Sequence, residues 1–138
     1  MLSKDYIVGL TDGGGSFCAY IREPVKKSWN TRVECHFYIK MREDELPLLK
    51  KVKQFFNCGR IDFQKESRVN QRNSYRFQVS DIKNLKAIVI PFFRKNNLIK
   101  RYRDFGLFCK IVNMVYLKKH FTKSGLAQIR QIKKEMHK

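Results

Sequence analysis

The sequence predicts an α+β domain in the order α-ββ-α-ββ-α, with extra helices at its C-terminal end. Three observations predict it. Four short segments alternate apolar and polar residues, in two pairs, as half-buried strands do. The segments around them repeat their apolar residues at steps of three and four, the period of a helix with one buried face. Glycine, proline and asparagine punctuate the junctions. The 138 residues suit a single domain spanning 1–138 and suffice for a real core.

The first helix is expected from about Ser3 to Gly13, with Ser3 as N-cap and Asp5 in the favourable first turn. Gly9 and Gly13 lie four apart and share one helix face. A glycine inside a helix costs roughly 1 kcal/mol relative to alanine, so the pair calls for a reason. One reason is a close helix–helix seam. The other is a helix stop at Gly13 to Gly15. Ser16 to Arg22 then alternates: Phe17, Ala19 and Ile21 face a core, and Cys18, Tyr20 and Arg22 face away. The basic loop that follows contains Trp29, which either packs or lies against a sugar or base. Arg32 to Lys40 alternates again, with Val33, Cys35, Phe37 and Ile39 inward. A helix from about Glu43 to Phe56 turns Leu46, Leu49, Val52, Phe55 and Phe56 inward, and Asn57-Cys58-Gly59 ends it.

Arg60 to Glu66 and Tyr75 to Val79 form the second strand pair. A helix from Ser80 or Asp81 carries Ile82, Leu85, Ile88 and Val89 and is expected to end or kink at Pro91. Leu98 to Arg103 is a basic connection. A helix over Asp104 to Lys119 buries Phe105, Phe108, Ile111, Val112 and Val115. The tail from Lys123 is an amphipathic basic helix that docks on the domain or along a ligand.

Charge narrows the function. Lys and Arg number 30 against 12 Asp and Glu, a net +18. Residues 1–69 are at +4 and residues 70–138 at +14. Such an excess selects a polyanionic partner, most simply nucleic acid. No apolar run approaches the roughly 18 residues that span a bilayer, and no secretory signal pattern opens the chain, so no membrane partner is expected. Cys18, Cys35, Cys58 and Cys109 form no close CxxC pair and read as core or surface thiols in a reducing, intracellular compartment. His36, His120 and His137 are scattered and suggest no metal or nucleophile cluster.

The outward strand residues are then Cys18, Tyr20, Arg22, Glu34, His36, Tyr38, Asp62, Gln64, Arg76 and Gln78. They mix donors, acceptors and charge. Arg pairs with guanine, Gln with adenine, and Asp or Glu with the cytosine amino group. A solvated sheet face is the alternative reading. Lys26, Lys27, Arg68, Arg72, Lys100, Arg101 and Arg103 suit phosphate neutralisation, which positions a protein without reading sequence.

Ile7-Val8-Gly9-Leu10-Thr11-Asp12-Gly13-Gly14-Gly15, continued by Ser16-Phe17, resembles the LAGLIDADG pattern. The chain is thus similar to single-motif LAGLIDADG homing endonucleases. The αββαββα order agrees with that fold, in which the antiparallel sheet forms a DNA-binding saddle. Lys95 to Phe108 resembles the family's basic segment before its late helix. The resemblance implies a homodimer in which two first helices pack on a dyad through Ile7, Gly9, Leu10 and Gly13. It implies double-stranded DNA with a long pseudo-palindromic site as partner. It implies phosphodiester hydrolysis with Mg²⁺, held by an acidic residue and assisted by the Gly13 carbonyl. That acidic position is Gly14 here, so cleavage is expected to be impaired. Asp12 occupies a position that is mainly structural in the family. Lys100 or Arg101 would polarise the water and phosphate. An organellar or microbial origin follows from the family alone. The alternatives are an intron RNA-binding splicing helper (a maturase) on the same fold, or a general basic nucleic-acid-binding protein.

Overall fold

The structure is a computed structural model that describes residues 1–28 and 30–138; Trp29 lies outside the described residues. Helix α1 spans Lys4–Gly14 and runs straight into strand β1, Gly15–Arg22. Strand β2 is Arg32–Arg42. A 3₁₀ turn, Glu43–Glu45, leads into α2, Leu46–Phe56. Strands β3, Arg60–Gln64, and β4, Ser74–Val79, follow. Next come a short helix α3, Ile82–Asn84, a π-helical turn, Leu85–Val89, and α4, Ile90–Lys95. Helices α5, Tyr102–Tyr116, and α6, Lys123–Glu135, complete the chain.

The four strands form one antiparallel sheet in the order β1-β2-β4-β3. Phe17, Ala19, Val33, Cys35, Phe37, Ile39, Phe77 and Val79 point to one side and are buried against the helices. Phe17, Phe37, Phe56, Phe77, Phe93, Phe105 and Phe108 join there in one aromatic cluster, with ring centroids 5.2–6.3 Å apart where they touch. Tilted and edge-on pairs at such spacings add to the area term. The sheet is thus a two-layer structure, with helices on one face only.

Local signals explain the element ends. The Ser3 hydroxyl accepts the Tyr6 N–H, and the Asp81 carboxylate accepts the Asn84 N–H. Asn57 ends α2 in the left-handed region at φ 55°. Gly59, at φ 87°, must be glycine, since a Cβ would lie 2.7 Å from the Gln78 carbonyl.

One expectation is corrected. Pro91 does not end its helix, which continues to Lys95. The wide π-helical turn just before it removes the need for a regular hydrogen bond from the proline position. The triple glycine does end α1, at Gly14, but without a left-handed residue. Gly15 has φ −86° and is already extended; a Cβ there would sit 2.8 Å from Thr11 Cγ2 and 2.9 Å from Thr11 O. Glycine lets β1 leave α1 without displacing the last helical turn. The C-terminal helix docks on the domain: Ile129 and Met136 are buried in the core.

Candidate nucleic-acid interface

The bare face of the sheet follows from the strand register. Cross-strand rows on it read Tyr20–Glu34, Cys18–His36, Ser16–Tyr38–Gln78–Arg60, Lys40–Arg76–Asp62 and Arg42–Ser74–Gln64. Side chains opposite each other in register share a face. All the outward residues expected from alternation therefore lie together, with Arg22 at the end of β1. Ser16, Lys40, Arg42, Arg60 and Ser74 belong to the face as well. The two-residue period already sets Lys40 beside Tyr38 on this face, and it had only to be run further, to Arg42 and back from Asp62 to Arg60, to find two more of them.

The face is pre-wired. Glu34 lies 3.4 Å from the Arg22 guanidinium, 3.8 Å from Arg32 and 3.4 Å from His36 Nε2. Asp62 accepts from Arg60 Nε at 2.8 Å. The Arg76 guanidinium stacks 4.0 Å from the Tyr38 ring centroid. Burial pushes the His36 pKa down, against the pull of Glu34 and with help from Arg76 and Arg60, so the ring is neutral at pH 7. His36 Nδ1 and Arg76 Nε are shielded and without a hydrogen-bond partner among the described residues. Gln78 is only 5% exposed, so it sits on this face but is nearly covered. Glu34 and Asp62 serve first as partners that hold arginines in place. Their acceptor role toward cytosine requires those pairs to open.

The predicted phosphate contacts divide. Lys26 and Lys27 are exposed on the loop between β1 and β2. Arg68 is held by Glu66 through two guanidinium nitrogens at 3.0 and 2.9 Å, and its hydrogen bonds bring the Glu66 pKa down to about 2. Arg72 lies 3.4 Å from Asp44. Arg103 is engaged by Glu135. These three arginines neutralise phosphate only by leaving a carboxylate or carbonyl, whereas sequence reasoning treated them as free cations.

The C-terminal end of α1 lies where the sheet meets α5. The Asp12 carboxylate accepts backbone N–H groups of Ile99, Lys100 and Arg101 at 2.9–3.0 Å. Arg101 Nε donates to Thr11 O at 3.1 Å. Burial raises the Asp12 pKa, but the three N–H donors and the Arg101 charge outweigh it and leave it lowered. Asp12 thereby ties the basic connection, and the start of α5, to the end of α1. Lys100 and Arg101 are brought to that end by these bonds, as the order of the chain could not show.

The donor set there does not fit a divalent cation. Such ions need carboxylate oxygens, and the position expected to supply one is Gly14. Asp12 is engaged by its three backbone donors. Among the described residues no group of three or more metal-ligating side chains occurs. A Cβ at Gly14 would meet nothing within 4 Å, so the space for a side chain is open.

The outer side of α1 carries Tyr6, Gly9, Leu10 and Gly13. Tyr6, Gly9 and Gly13 are exposed, and a Cβ at either glycine would meet open space. Ile7 was expected to join this contact surface. It is fully buried in the chain's own core, one helical turn from buried Thr11, and so cannot.

The pattern that defines the LAGLIDADG endonuclease family matches residues 7–112, most of the chain. The chain belongs to the LAGLIDADG endonuclease family. A probable intron-encoded endonuclease 2 of Neurospora crassa is 38% identical over 132 residues, which is 93% of this chain and 28% of that protein. The crystal structure of the I-LtrWI LAGLIDADG homing endonuclease bound to target DNA superposes with a TM-score of 0.89 at 28% identity, over 99% of this chain and 44% of that one. The homing endonuclease I-TnaI superposes with a TM-score of 0.84 at 31% identity, over 99% of this chain and 89% of that one. The chain spans between 24% and 35% of the length of the curated relatives it matches. Within the LAGLIDADG fold, the bare sheet face, the end of α1 and the open helix face are thus three distinct surfaces of one domain. Among the described residues no helix is long and apolar enough to cross a membrane.

Proposed function

We propose that this LAGLIDADG domain binds duplex DNA site-specifically through the bare face of its sheet, as a homodimer joined along α1. The observation that carries the reading is the register, which gathers Arg22, Arg60, Arg76, Lys40, His36, Tyr38 and Gln64 on one uncovered face. Antiparallel strands can enter the major groove, where such donors and acceptors distinguish base pairs. The net +18 supplies the attraction to phosphate. The exposed Tyr6–Gly9–Gly13 stripe supports the dimer, since neither glycine is needed by its own chain. Two copies related by a dyad would read a long pseudo-palindromic site.

Cleavage by this chain is impaired, because the α1 end offers no side-chain carboxylate for a metal. Lys100 and Arg101 are left to contact phosphate there. The family's intron-encoded members suggest an organellar or microbial intron as source.

The test is selection on a randomised duplex library, with the unaltered chain and Gly14→Glu in parallel, followed by incubation with Mg²⁺. The reading requires both proteins to enrich one site of roughly 20 base pairs, as direct readout over two sheets would give, and only the variant to cut it. Rapid cutting by the unaltered chain removes the impairment. Failure of both to enrich a site removes the DNA-binding reading.

A further inference from the structure

Strand β1 is a free edge of the sheet, and α6 runs beside it. Arg130 of α6 pairs with Glu23, just past the end of β1. At the other end, His137 Nε2 lies 2.9 Å from the Phe17 carbonyl, to which only a ring N–H can donate. The His137 backbone N–H donates to Asp104 Oδ1 at 2.9 Å, and Arg103 donates to the Glu135 carbonyl at 2.6 Å. Met136 is buried between these bonds. The tail is thus pinned near both ends of the edge. This is one way to keep an edge strand from pairing with another chain.

The pinning also brings the tail to the bare face. Lys133, Met136 and His137 wall a hollow of about 370 Å³ whose other walls are Cys18, Ala19, Tyr20 and Tyr38. Cys18, Tyr20 and Tyr38 belong to the bare face by register, which explains why Cys18 is buried although it points away from the core. The polar lining consists of a lysine, a histidine, two phenols and a thiol, with no carboxylate. The Cys18 thiol donates to the Tyr38 oxygen at 3.9 Å, which leaves the phenolic proton for a ligand. Burial, then Cys18 and Tyr38, push the Tyr20 pKa up, so its hydroxyl remains a donor. The carboxylate nearest in sequence, Glu135, is occupied by Arg103 and Lys138. A concave set of donors beside one exposed lysine selects an anion.

We propose that this hollow seats one backbone phosphate of the duplex lying on the sheet, with Lys133 as the charged contact and the Tyr20 and Tyr38 hydroxyls as orienting donors. The inference rests on the DNA-binding reading. It moves the two tyrosines from base reading to phosphate positioning, and it makes His137 the residue that anchors the end of α6, on which Lys133 lies, to β1. The tail then fixes the register of the duplex on the sheet rather than its sequence.

The experiment measures the affinity of the full chain for its selected duplex against salt, for the unaltered protein, Lys133→Ala and Lys133→Arg. Lys51→Ala, on the exposed side of α2 away from the bare face, is the charge control. One phosphate contact contributes about 0.9 to the slope of log K against log salt, so the homodimer loses about 2 in Lys133→Ala. Lys133→Arg and Lys51→Ala retain the slope, and the enriched sequence is the same for all four. A scan of single uncharged methylphosphonates then locates the contact: one symmetric pair of positions weakens the unaltered protein and no longer weakens Lys133→Ala. If Lys133→Ala keeps both the slope and the methylphosphonate profile while the unaltered chain binds its site, the seat is overturned. If the unaltered chain binds no duplex, the DNA-binding reading fails first and takes the seat with it.

Discussion

The bare sheet face and the end of α1 are built on opposite terms. The sheet face is crowded with polar and charged side chains. Its arginines are aimed by Glu34 and Asp62, and Arg76 is stacked on Tyr38. The end of α1 is almost bare: three glycines in a row, and one carboxylate, Asp12, that is engaged by backbone. Under the proposed function, recognition and chemistry occupy separate surfaces, and one can be lost without the other. A binding face needs many weak contacts and tolerates the loss of one. A metal-assisted reaction hangs on a single ligand position.

The sharpest way to erase the difference is Gly14→Glu. The site has room for the side chain. Restoring a metal carboxylate is expected to raise strand cleavage by at least about a hundredfold, in line with the several kcal/mol such charge stabilisation supplies. Binding affinity should change little, because residue 14 is not on the bare face. A plasmid-nicking time course with Mg²⁺ checks the first and a gel-shift titration the second.

Asp12→Ala attacks the same end from the structural side. It strands three backbone N–H donors and releases the start of α5, for an expected loss of about 2–3 kcal/mol in urea unfolding. The same contact predicts a pH dependence. The Asp12 pKa is lowered from 3.8 in the folded chain, so its stabilisation is fully present above about pH 4 and lost as pH falls through the folded value. Unfolding midpoints at pH 3 and pH 6 should therefore differ less in Asp12→Ala than in the unaltered chain.

Arg76→Ala probes the other side of the comparison. It should weaken specific binding by about 1–3 kcal/mol and relax the base preference at one position in each half-site, with stability nearly unchanged. Selection on the randomised library reads the relaxation directly. If instead the loss is uniform over all sequences, Arg76 contacts phosphate. Gly13→Ala is the smallest change. It adds one methyl to the open α1 face and is expected to raise the dimer dissociation constant severalfold while leaving the isolated fold slightly more stable, since alanine favours helix by up to about 1 kcal/mol. Sedimentation at several concentrations checks it; an unmoved dimer constant would place the contact elsewhere.

The core and the bare face were legible wherever the two-residue period ran unbroken. Val33 to Ile39 against Glu34 to Tyr38 assigned both sides of β2 correctly, because side chains in a strand alternate whatever the sheet does next. The role of Ile7 was not legible. Its motif position suggested the dyad, but it lies one turn from Thr11 on the side of α1 that is buried in the core. Nor were Arg68, Arg72 and Arg103 legible as paired residues. Charge is written in the sequence, while the distance to a counter-charge is set by how the chain returns on itself.

What the sequence determined alone is local or summed: the strand and helix periods, the net charge, the family pattern in α1 and the absence of a carboxylate at position 14. Each depends on neighbours along the chain or on composition. Only the tertiary structure decided that Asp12 would bind residues 99–101, nearly ninety positions away, and that the tail would reach Phe17 and Tyr20 across the β1 edge. Those meetings come from the packing of helices on one face of a sheet, and no period or motif encodes a contact between residues so far apart.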